Sequence, residues 1–371
     1  MKPQSRGHRF TTFSDDEVKG MRRTLSFGLK ISVSIFFVLY LFSRVHWEEV
    51  WSHIKQADPL YLFLYIILAF VGILVSSLKW LVLARSHGMS PPLSALVSLY
   101  MVGYFFNNFL PTSIGGDVIR GHALGKMYTK QAEAMASVFV ERFSGYTALI
   151  LFAVLALFID PALRDDIRIV APIVFAVLAY VAIVGALVNS SWLEIGARRF
   201  PTNMIQKLLR KIRAFQQAIH MYAHERTTLL VAGLYSILFY FVSVVVVYVG
   251  CLTVQAPVSF ANLVTVVPVL LIMLMIPFSF GGLGLQEWAF YFVLEIVGVP
   301  AAAGLSLGLL FRARSLGFGL IGGMIYPFVT PVDSLLAIKV PSSPSPSVTV
   351  ALNGSNTLVV AGDTKSESPR F

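Results

Sequence analysis

Apolar runs separated by short polar segments make up most of the chain. Six of them lie near 25–43, 60–84, 134–159, 169–189, 227–252 and 301–330. Each is long enough to cross about 30 Å of hydrocarbon as a helix, since a helical residue adds about 1.5 Å. Two further apolar stretches, 91–110 and 261–277, lead into segments that contain proline and paired glycines. The pattern predicts an all-α polytopic membrane protein.

The two proline- and glycine-containing segments nearly repeat each other. Leu110 to Gly116 reads LPTSIGG, and Ile276 to Gly282 reads IPFSFGG. Non-helical backbone at membrane depth requires protein or a water-filled cavity around it. Interrupted hydrophobic segments at corresponding places in two halves are typical of transporters built as inverted repeats. We therefore expect two re-entrant hairpins, each broken by glycine and proline, within an inverted repeat.

The composition agrees with a bilayer protein. The 371 residues are 56% hydrophobic and 13% charged, whereas soluble proteins average about 25% charged residues. The net charge of +10 fits Lys and Arg held on the cytoplasmic face, so no nucleic-acid partner is expected. The single cysteine, Cys251, lies in an apolar run and excludes an intrachain disulfide.

Loop charge predicts the topology. The segment 190–227 carries seven Lys or Arg residues against two Glu and should be cytoplasmic, whereas 160–168 carries three Asp and two Arg and suits the outer side. These two loop assignments are compatible if segment 91–128 enters the membrane from the cytoplasmic side and returns to it. Segment 261–298 then enters from the outer side and returns there. Six crossings and two hairpins then leave both termini cytoplasmic. Eight or so ordinary spans with a weak charge bias remain the alternative.

The same reading divides the chain into three regions. They are a cytoplasmic N-terminal tail at 1–24, a transmembrane domain at 25–331 and a Ser- and Pro-rich tail at 332–371 that we expect to be disordered. The repeat halves are roughly 60–159 and 227–330. Between them, 202–225 has apolar residues at helical spacing and a basic opposite face, which predicts an interfacial amphipathic connector.

The first hairpin carries a constellation of polar residues. Gly115 and Gly116 permit a tight turn, and Asp117 can cap the helix that follows. The free N–H groups of that helix favour an anion, and Arg120, one turn further on, can hold a phosphate. The alternative is a capped turn in which Asp117 pairs with Arg120, three residues further on. The candidate site residues here are Asn107, Ser113, Gly115, Gly116, Asp117 and Arg120.

The second hairpin is related but not equivalent. Leu283 takes the place of Asp117, and the acidic residue comes later as Glu287. An ionisable residue in an apolar segment is a functional candidate, although Glu287 could also pair with an arginine near the interface. The candidate site residues here are Ser279, Gly281, Gly282 and Glu287.

Four charged residues lie in the spans that follow the hairpins. Glu141 and Arg142 follow the first, and Arg312 and Arg314 follow the second; the spacing relates Arg142 to Arg314, 172 positions on. Because an unpaired charge in the bilayer costs at least about 2.5–3.5 kcal/mol, each must face a partner, water or ligand. Internal salt bridges are the alternative to ligand binding. Lys79 and Trp80 are interpreted as an interfacial anchor.

Conventional catalysis is not expected. The seven histidines are scattered without a metal-ligand pair, and no Walker lysine motif is present. We predict no metal and no cofactor.

These ordered motifs resemble the lysylphosphatidylglycerol synthase transmembrane-region family, also called flippase-like, over about residues 25–330. The resemblance implies a polytopic protein whose matched residues line a pathway for a lipid headgroup. The founding synthases move an aminoacylated phospholipid between leaflets and carry a large soluble transferase domain after the membrane region. Here only the tail 332–371 follows, so lipid synthesis is not expected.

The function predicted from the sequence is translocation of a phospholipid or polyprenyl-linked headgroup across the cell membrane by a non-enzymatic, multi-pass protein. Two alternatives stay open. One is a membrane enzyme that acts on a lipid-linked phosphate or sugar, with Asp117 or Glu287 as base. The other is a non-transporting partner subunit of a lipid-modifying enzyme.

Overall fold

A computed structural model describes residues 32, 35–109, 115–159, 161–188, 203–275 and 279–329. Every regular element in these residues is helical. The chain divides into two compact units, Met1–Thr330 and Pro331–Phe371, and the second unit lies outside the described residues. The predicted cytoplasmic tail at 1–24 and the predicted disordered tail at 332–371 lie outside them too.

Thirteen α-helices follow one another in the described part of the chain. They are α1 (Ile35–Arg44), α2 (Trp47–Lys55), α3 (Pro59–Ser86), α4 (Leu93–Phe109), α5 (Gly115–Tyr128), α6 (Gln131–Ile159), α7 (Pro161–Asp165), α8 (Ile167–Val188), α9 (Asn203–His224), α10 (Arg226–Thr253), α11 (Phe260–Met275), α12 (Leu285–Ile296) and α13 (Ala301–Val329). A short 3₁₀ turn, Phe280–Gly282, precedes α12.

Five of these helices are long and apolar enough to cross a membrane: α3, α6, α8, α10 and α13. They coincide with five of the six spans that the sequence predicts. The sixth, near 25–43, lies partly outside the described residues, and its described part is the apolar helix α1. The prediction of an all-α, multi-pass membrane protein is confirmed.

Eight helices fall into two series of four with similar lengths. The 28-residue helices α3 and α10 begin 167 positions apart, at Pro59 and Arg226. The 29-residue helices α6 and α13 begin 170 positions apart, at Gln131 and Ala301. Helices α4 and α5 have their counterparts in α11 and α12. The extra residues lie between α11 and α12, so the second break is longer than the first.

The two hairpins open towards opposite ends of the molecule. Helices α3 and α10 pack antiparallel, since the Asp58 N–H donates to the Thr253 carbonyl at 3.1 Å. The hairpin α4–α5 begins and ends beside the end of α3, where the Lys130 ammonium donates to the His87 carbonyl at 2.8 Å.

The hairpin α11–α12 is attached at the other end of this helix pair. There α2 contacts both flanks of the hairpin: His53 Nδ1 lies 2.9 Å from the Val254 carbonyl oxygen, and the Ser306 hydroxyl donates to the Val50 carbonyl at 3.3 Å. An inverted repeat requires an arrangement of this kind, and both the repeat and its placement relative to a bilayer stay predictions.

The amphipathic connector forms α9, close to the predicted bounds of 202–225. Its buried Ala218 and Tyr222 pack near the end of α3, where the Tyr222 hydroxyl donates to the Leu83 carbonyl at 2.7 Å. Burial raises the pKa of that phenol. His220 and His224 are exposed. The helix thus covers the end at which the first hairpin opens.

Candidate functional site: an arginine-lined cavity

A first ion-pair network joins α5 to α6. Asp117, in the first turn of α5, accepts hydrogen bonds from Arg142 Nε at 3.1 Å and Nη2 at 2.9 Å. It also accepts from Arg120 Nε at 3.1 Å. The alternative in which Asp117 pairs with Arg120 is therefore present, but Arg142 engages the same carboxylate from the neighbouring helix. The Arg142 side chain keeps 40% of its surface exposed.

Glu141 extends the network into the helix bundle. It is 3% exposed and accepts a hydrogen bond from Arg120 Nη2 at 2.7 Å. It also forms a salt bridge with Lys79, whose Nζ lies 3.2 Å from Glu141 Oε1. The interpretation of Lys79 and Trp80 as an interfacial anchor is wrong. Lys79 is 3% exposed because Glu141 supplies a partner inside the bundle, and the fully buried Trp80 donates to the Ser137 hydroxyl at 3.0 Å. Pairing avoids the cost of an isolated buried charge.

A second ion pair joins α12 to α13. Arg312 donates to Glu287 Oε1 through Nε at 2.7 Å and to Oε2 through Nη2 at 3.2 Å. Its Nη1 donates to the Gly281 carbonyl at 2.7 Å. Glu287 also accepts from the Gly284 N–H at 2.8 Å, so it caps its own helix. Gly281 and Gly284 have φ of +54° and +77°, a region that favours glycine.

The end of α4 contacts both α13 and the break of the second hairpin. Asn108, at the end of α4, donates through Nδ2 to the Ser315 carbonyl at 3.0 Å on α13. A methyl group on Gly281 would lie 3.2 Å from the Asn108 carbonyl oxygen. Within the first hairpin, Asn107 Oδ1 accepts from the Gly116 N–H at 2.8 Å. One N–H group that the sequence offers to an anion is therefore already occupied by Asn107.

Arg314 differs from the other cations. It lies 4.1 Å from the Phe311 ring centre and 5.2 Å from that of Tyr65, in cation–π geometry. Its Nε is buried without a hydrogen-bond partner, and it forms no ion pair with any described carboxylate. The positive charge of Arg314 is consequently not compensated within the described part of the chain.

These groups surround a cavity of about 630 Å³. Its polar residues include Asn107, Asn108, Asp117, Arg120, Arg142, Gln286, Arg312, Arg314 and Ser315. The remaining wall is mostly apolar and aromatic, from α3, α6, α8, α10 and α11, and includes Ile73, Ile150, Phe175, Phe239, Val246 and Leu271. Four arginines and one carboxylate thus face the same space, next to a surface suited to hydrocarbon.

The structure brings together most of the residues that the sequence singled out. Those lining the cavity are Asn107, Asp117, Arg120, Arg142, Gly281, Gly282, Arg312 and Arg314. Glu141 and Glu287 lie behind this wall as partners of Arg120 and Arg312, and Gly115, Gly116 and Ser279 are not among the lining residues. Ser113 lies outside the described residues. In helix position and pairing, Arg312 rather than Arg314 is the counterpart of Arg142.

Several contributors were missed from the sequence. Lys79 carried a signal, since it is a charge in an apolar run, but its partner lies 62 positions away in Glu141. Tyr100 and Trp80 lie against the Arg120 guanidinium, 4.3 Å and 4.9 Å from their ring centres. Nothing in the local sequence distinguishes Tyr100 from an ordinary core aromatic, and the sequence interprets Trp80 as part of an interfacial anchor. Only the tertiary packing identifies these residues.

The fold and the cavity define a multi-pass helical membrane protein with an amphipathic internal site. The sequence matches the lysylphosphatidylglycerol synthase TM region family over residues 27–323, and the chain belongs to that family. It is also similar to a UPF0104 membrane protein of Methanothermobacter thermautotrophicus, with 24% identity over 294 residues, which cover 74% of this chain and 86% of the relative.

Proposed function

We propose that the protein binds the phosphate of a membrane lipid in this cavity and helps the headgroup cross the bilayer, as a flippase-like transporter of the cell membrane. The observation that carries the proposal is the lining of the cavity, in which four arginines and one carboxylate face an apolar wall. Arginine binds phosphate through paired N–H donors. Hydrogen bonding inside the cavity replaces part of the hydration that a phosphate loses when it leaves water.

The acyl chains have a route that avoids the polar site. Helices α8 and α10 both line the cavity, yet α8 packs on α6 and α11 and barely contacts α10. Phe175 and Leu178 on α8 and Leu234 on α10 expose more than half of their side-chain surface. We infer that hydrocarbon chains lie at this edge, in the bilayer, while the headgroup occupies the cavity.

The paired hairpins offer a way to change access. The end of α4 contacts the other half through Asn108 with Ser315, and the second break contacts the first half through Gly281 with the Asn108 carbonyl. In the proposed mechanism one half rocks against the other around the bound phosphate, as in other transporters built from inverted repeats. Both termini are proposed to be cytoplasmic.

The test is leaflet exchange of headgroup-labelled lipids in liposomes that contain the purified protein. Arg142→Gln, Arg314→Gln and Glu287→Gln should each slow exchange by tenfold or more, on the order of one charge-assisted hydrogen bond. Arg85→Gln is the matched control, because Arg85 is exposed at the end of α3 and does not line the cavity.

Unchanged exchange in all three cavity variants would contradict the assignment of the site. Absence of exchange for every lipid, with folded wild-type protein, would contradict transport itself. It would favour the enzyme or the partner-subunit interpretation.

A further inference from the structure

We propose that the headgroup taken by this cavity is a phosphate monoester that carries no amine, and that Arg314 sets this preference. The inference rests on the proposed function and specifies its substrate. It follows from the charge balance of the cavity, from the engagement of every nearby carboxylate, and from the position of Arg314.

Among the described residues, the cavity has an excess of two positive charges. The charged residues that line it, or that belong to the ion-pair network of a lining residue, are Lys79, Arg120, Arg142, Arg312, Arg314, Asp117, Glu141 and Glu287. Five are cations and three are carboxylates. The Glu287–Arg312 pair is balanced, the network around Asp117 and Glu141 has one cation too many, and Arg314 supplies the second.

No carboxylate that the structure describes at the cavity is left to bind an ammonium group. Asp117 lines the cavity but already accepts three hydrogen bonds, two from Arg142 and one from Arg120. Glu141 and Glu287 are buried behind the wall, 3% and 5% exposed, and each is paired with arginine. A lipid whose headgroup adds an amine would bring a third excess positive charge and find no free acceptor of opposite charge.

Unused donors do remain for a phosphate. Arg120 is 1% exposed, and its Nη1 is buried without a partner in the part of the chain that the structure describes. Arg142 uses Nε and Nη2 on Asp117 and makes no hydrogen bond through Nη1 to a described residue. Arg314 Nε has none either. Buried donors without acceptors are costly, so a ligand that accepts from them is favoured.

The number of excess charges separates two classes of phospholipid. A phosphate monoester carries about −1.5 to −2 at pH 7, as the phosphorylated side chains do, whereas a phosphodiester carries a single negative charge. A monoester has three free oxygens and a diester has two. Two excess positive charges and three unused donors therefore match a terminal phosphate better than a diester.

The experiment compares three lipids with identical acyl chains in liposomes containing the full-length protein: phosphatidic acid, phosphatidylglycerol and lysylphosphatidylglycerol. Protein-free liposomes give the spontaneous rate to subtract. Wild-type protein should exchange phosphatidic acid about tenfold faster than phosphatidylglycerol, on the order of one charge-assisted hydrogen bond. Lysylphosphatidylglycerol should be the slowest of the three.

Arg314→Gln should remove most of the preference, and Arg314→Lys should retain part of it, because lysine keeps the charge but loses the planar donor geometry. The readout is the exchange rate of phosphatidic acid divided by that of phosphatidylglycerol, since a purely structural defect would slow both lipids equally. Arg85→Gln should leave the ratio unchanged.

The outcomes separate the two proposals. Equal rates for both anionic lipids, or a faster rate for lysylphosphatidylglycerol, would overturn the monoester assignment and leave transport standing. Absence of exchange for all three would overturn transport. If inorganic phosphate inhibits lipid exchange at the same concentration at which phosphatidic acid saturates it, the site is assigned to free phosphate and not to a lipid.

Discussion

Arg312 donates to both carboxylate oxygens of Glu287 from 25 positions further along the chain, through Nε and Nη2. Arg142 binds Asp117 with the same two nitrogens over the same separation of 25. Each carboxylate is the third residue of the second hairpin helix, and each arginine is the twelfth residue of the long helix that follows.

The two halves therefore share one ion pair and differ in what surrounds it. In the first half Arg120, Glu141 and Lys79 extend the pair into a buried network, whereas in the second half the additional cation, Arg314, stands against aromatic rings. The shared pair holds each hairpin to the next span. The unshared residues give the cavity its excess positive charge.

Glu141 is the residue on which the stability of the first network depends most. Glu141→Gln would leave Lys79 buried without its charged partner and Arg120 with Asp117 alone. Breaking a buried pair costs about 3–5 kcal/mol. We expect a lower thermal unfolding temperature in detergent for this variant. Adding Lys79→Met should recover part of the loss, because one unpaired cation is then removed.

The control for this prediction is Glu48→Gln, at an exposed position of α2. An exposed substitution of this kind changes stability by less than about 0.5 kcal/mol. If Glu141→Gln and Glu48→Gln unfold at the same temperature, the buried network does not stabilise the fold.

The helical fold could be predicted from the sequence because apolar runs of sufficient length have few other structures in lipid. The predicted stretches 91–110 and 261–277 became α4 and α11 with bounds shifted by at most two residues. The pairing of charges could not be predicted in the same way. The partner of Lys79 depends on how α3 and α6 pack, which local sequence does not encode.

The repeat is predicted from a short motif, and the offset of that motif differs from the offset of the ion pairs. The motif gives an offset of 166, whereas the ion pairs and the following spans have an offset of 170. The difference arises because the second break holds more residues than the first. An alignment through the motif alone therefore matches Asp117 to Leu283 instead of Glu287. The separate spacing of 172 matches Arg142 to Arg314, whereas the ion pairs make Arg312 its counterpart.

Gly116 permits the two arms of the first hairpin to touch. A methyl group there would lie 2.2 Å from the Gly103 carbonyl oxygen and 2.8 Å from Asn107 Oδ1. Since neither arm can move without breaking the Asn107 cap, Gly116→Ala should destabilise the protein by about 1–3 kcal/mol, as measured by thermal unfolding.

Gly233→Ala is the matched control, because nothing lies within 4 Å of the added methyl group in α10. Alanine in a helix interior is favoured over glycine by about 0.5–1 kcal/mol, so this variant should be neutral or more stable. A similar loss in both variants would argue against close contact between the hairpin arms.

His87 makes the end of α3 sensitive to acid. It is 6% exposed, with its ring centre 4.1 Å from that of Tyr222 on α9. Burial lowers the pKa of the His87 imidazole below its ordinary value of about 6.5, against weaker opposite effects of Glu225 and Glu133. Between the two pKa values the unfolded chain binds more protons, so stability falls as the pH drops below about 6.5.

The unfolding temperature of the wild type should therefore be lower at pH 5.5 than at pH 7.5, and His87→Phe should reduce this difference while keeping an aromatic ring against Tyr222. His122→Phe, at an exposed position of α5, should leave the difference as in the wild type. An unchanged pH dependence in His87→Phe would show that other groups cause it.

The re-entrant topology can be tested with single cysteines, since Cys251 is fully buried and is replaced by alanine in the background variant. Ser90 and Met127 flank the first hairpin, Ser259 and Pro300 flank the second, and all four are exposed. If each hairpin returns to the side from which it entered, cysteines at the first two positions share one side of the membrane and those at the last two share the other. An impermeant maleimide should label the first pair only in inverted vesicles and the second pair only in right-side-out vesicles. Opposite labelling within either pair would mean that the hairpin crosses the membrane, and eight ordinary spans would then replace the inverted repeat.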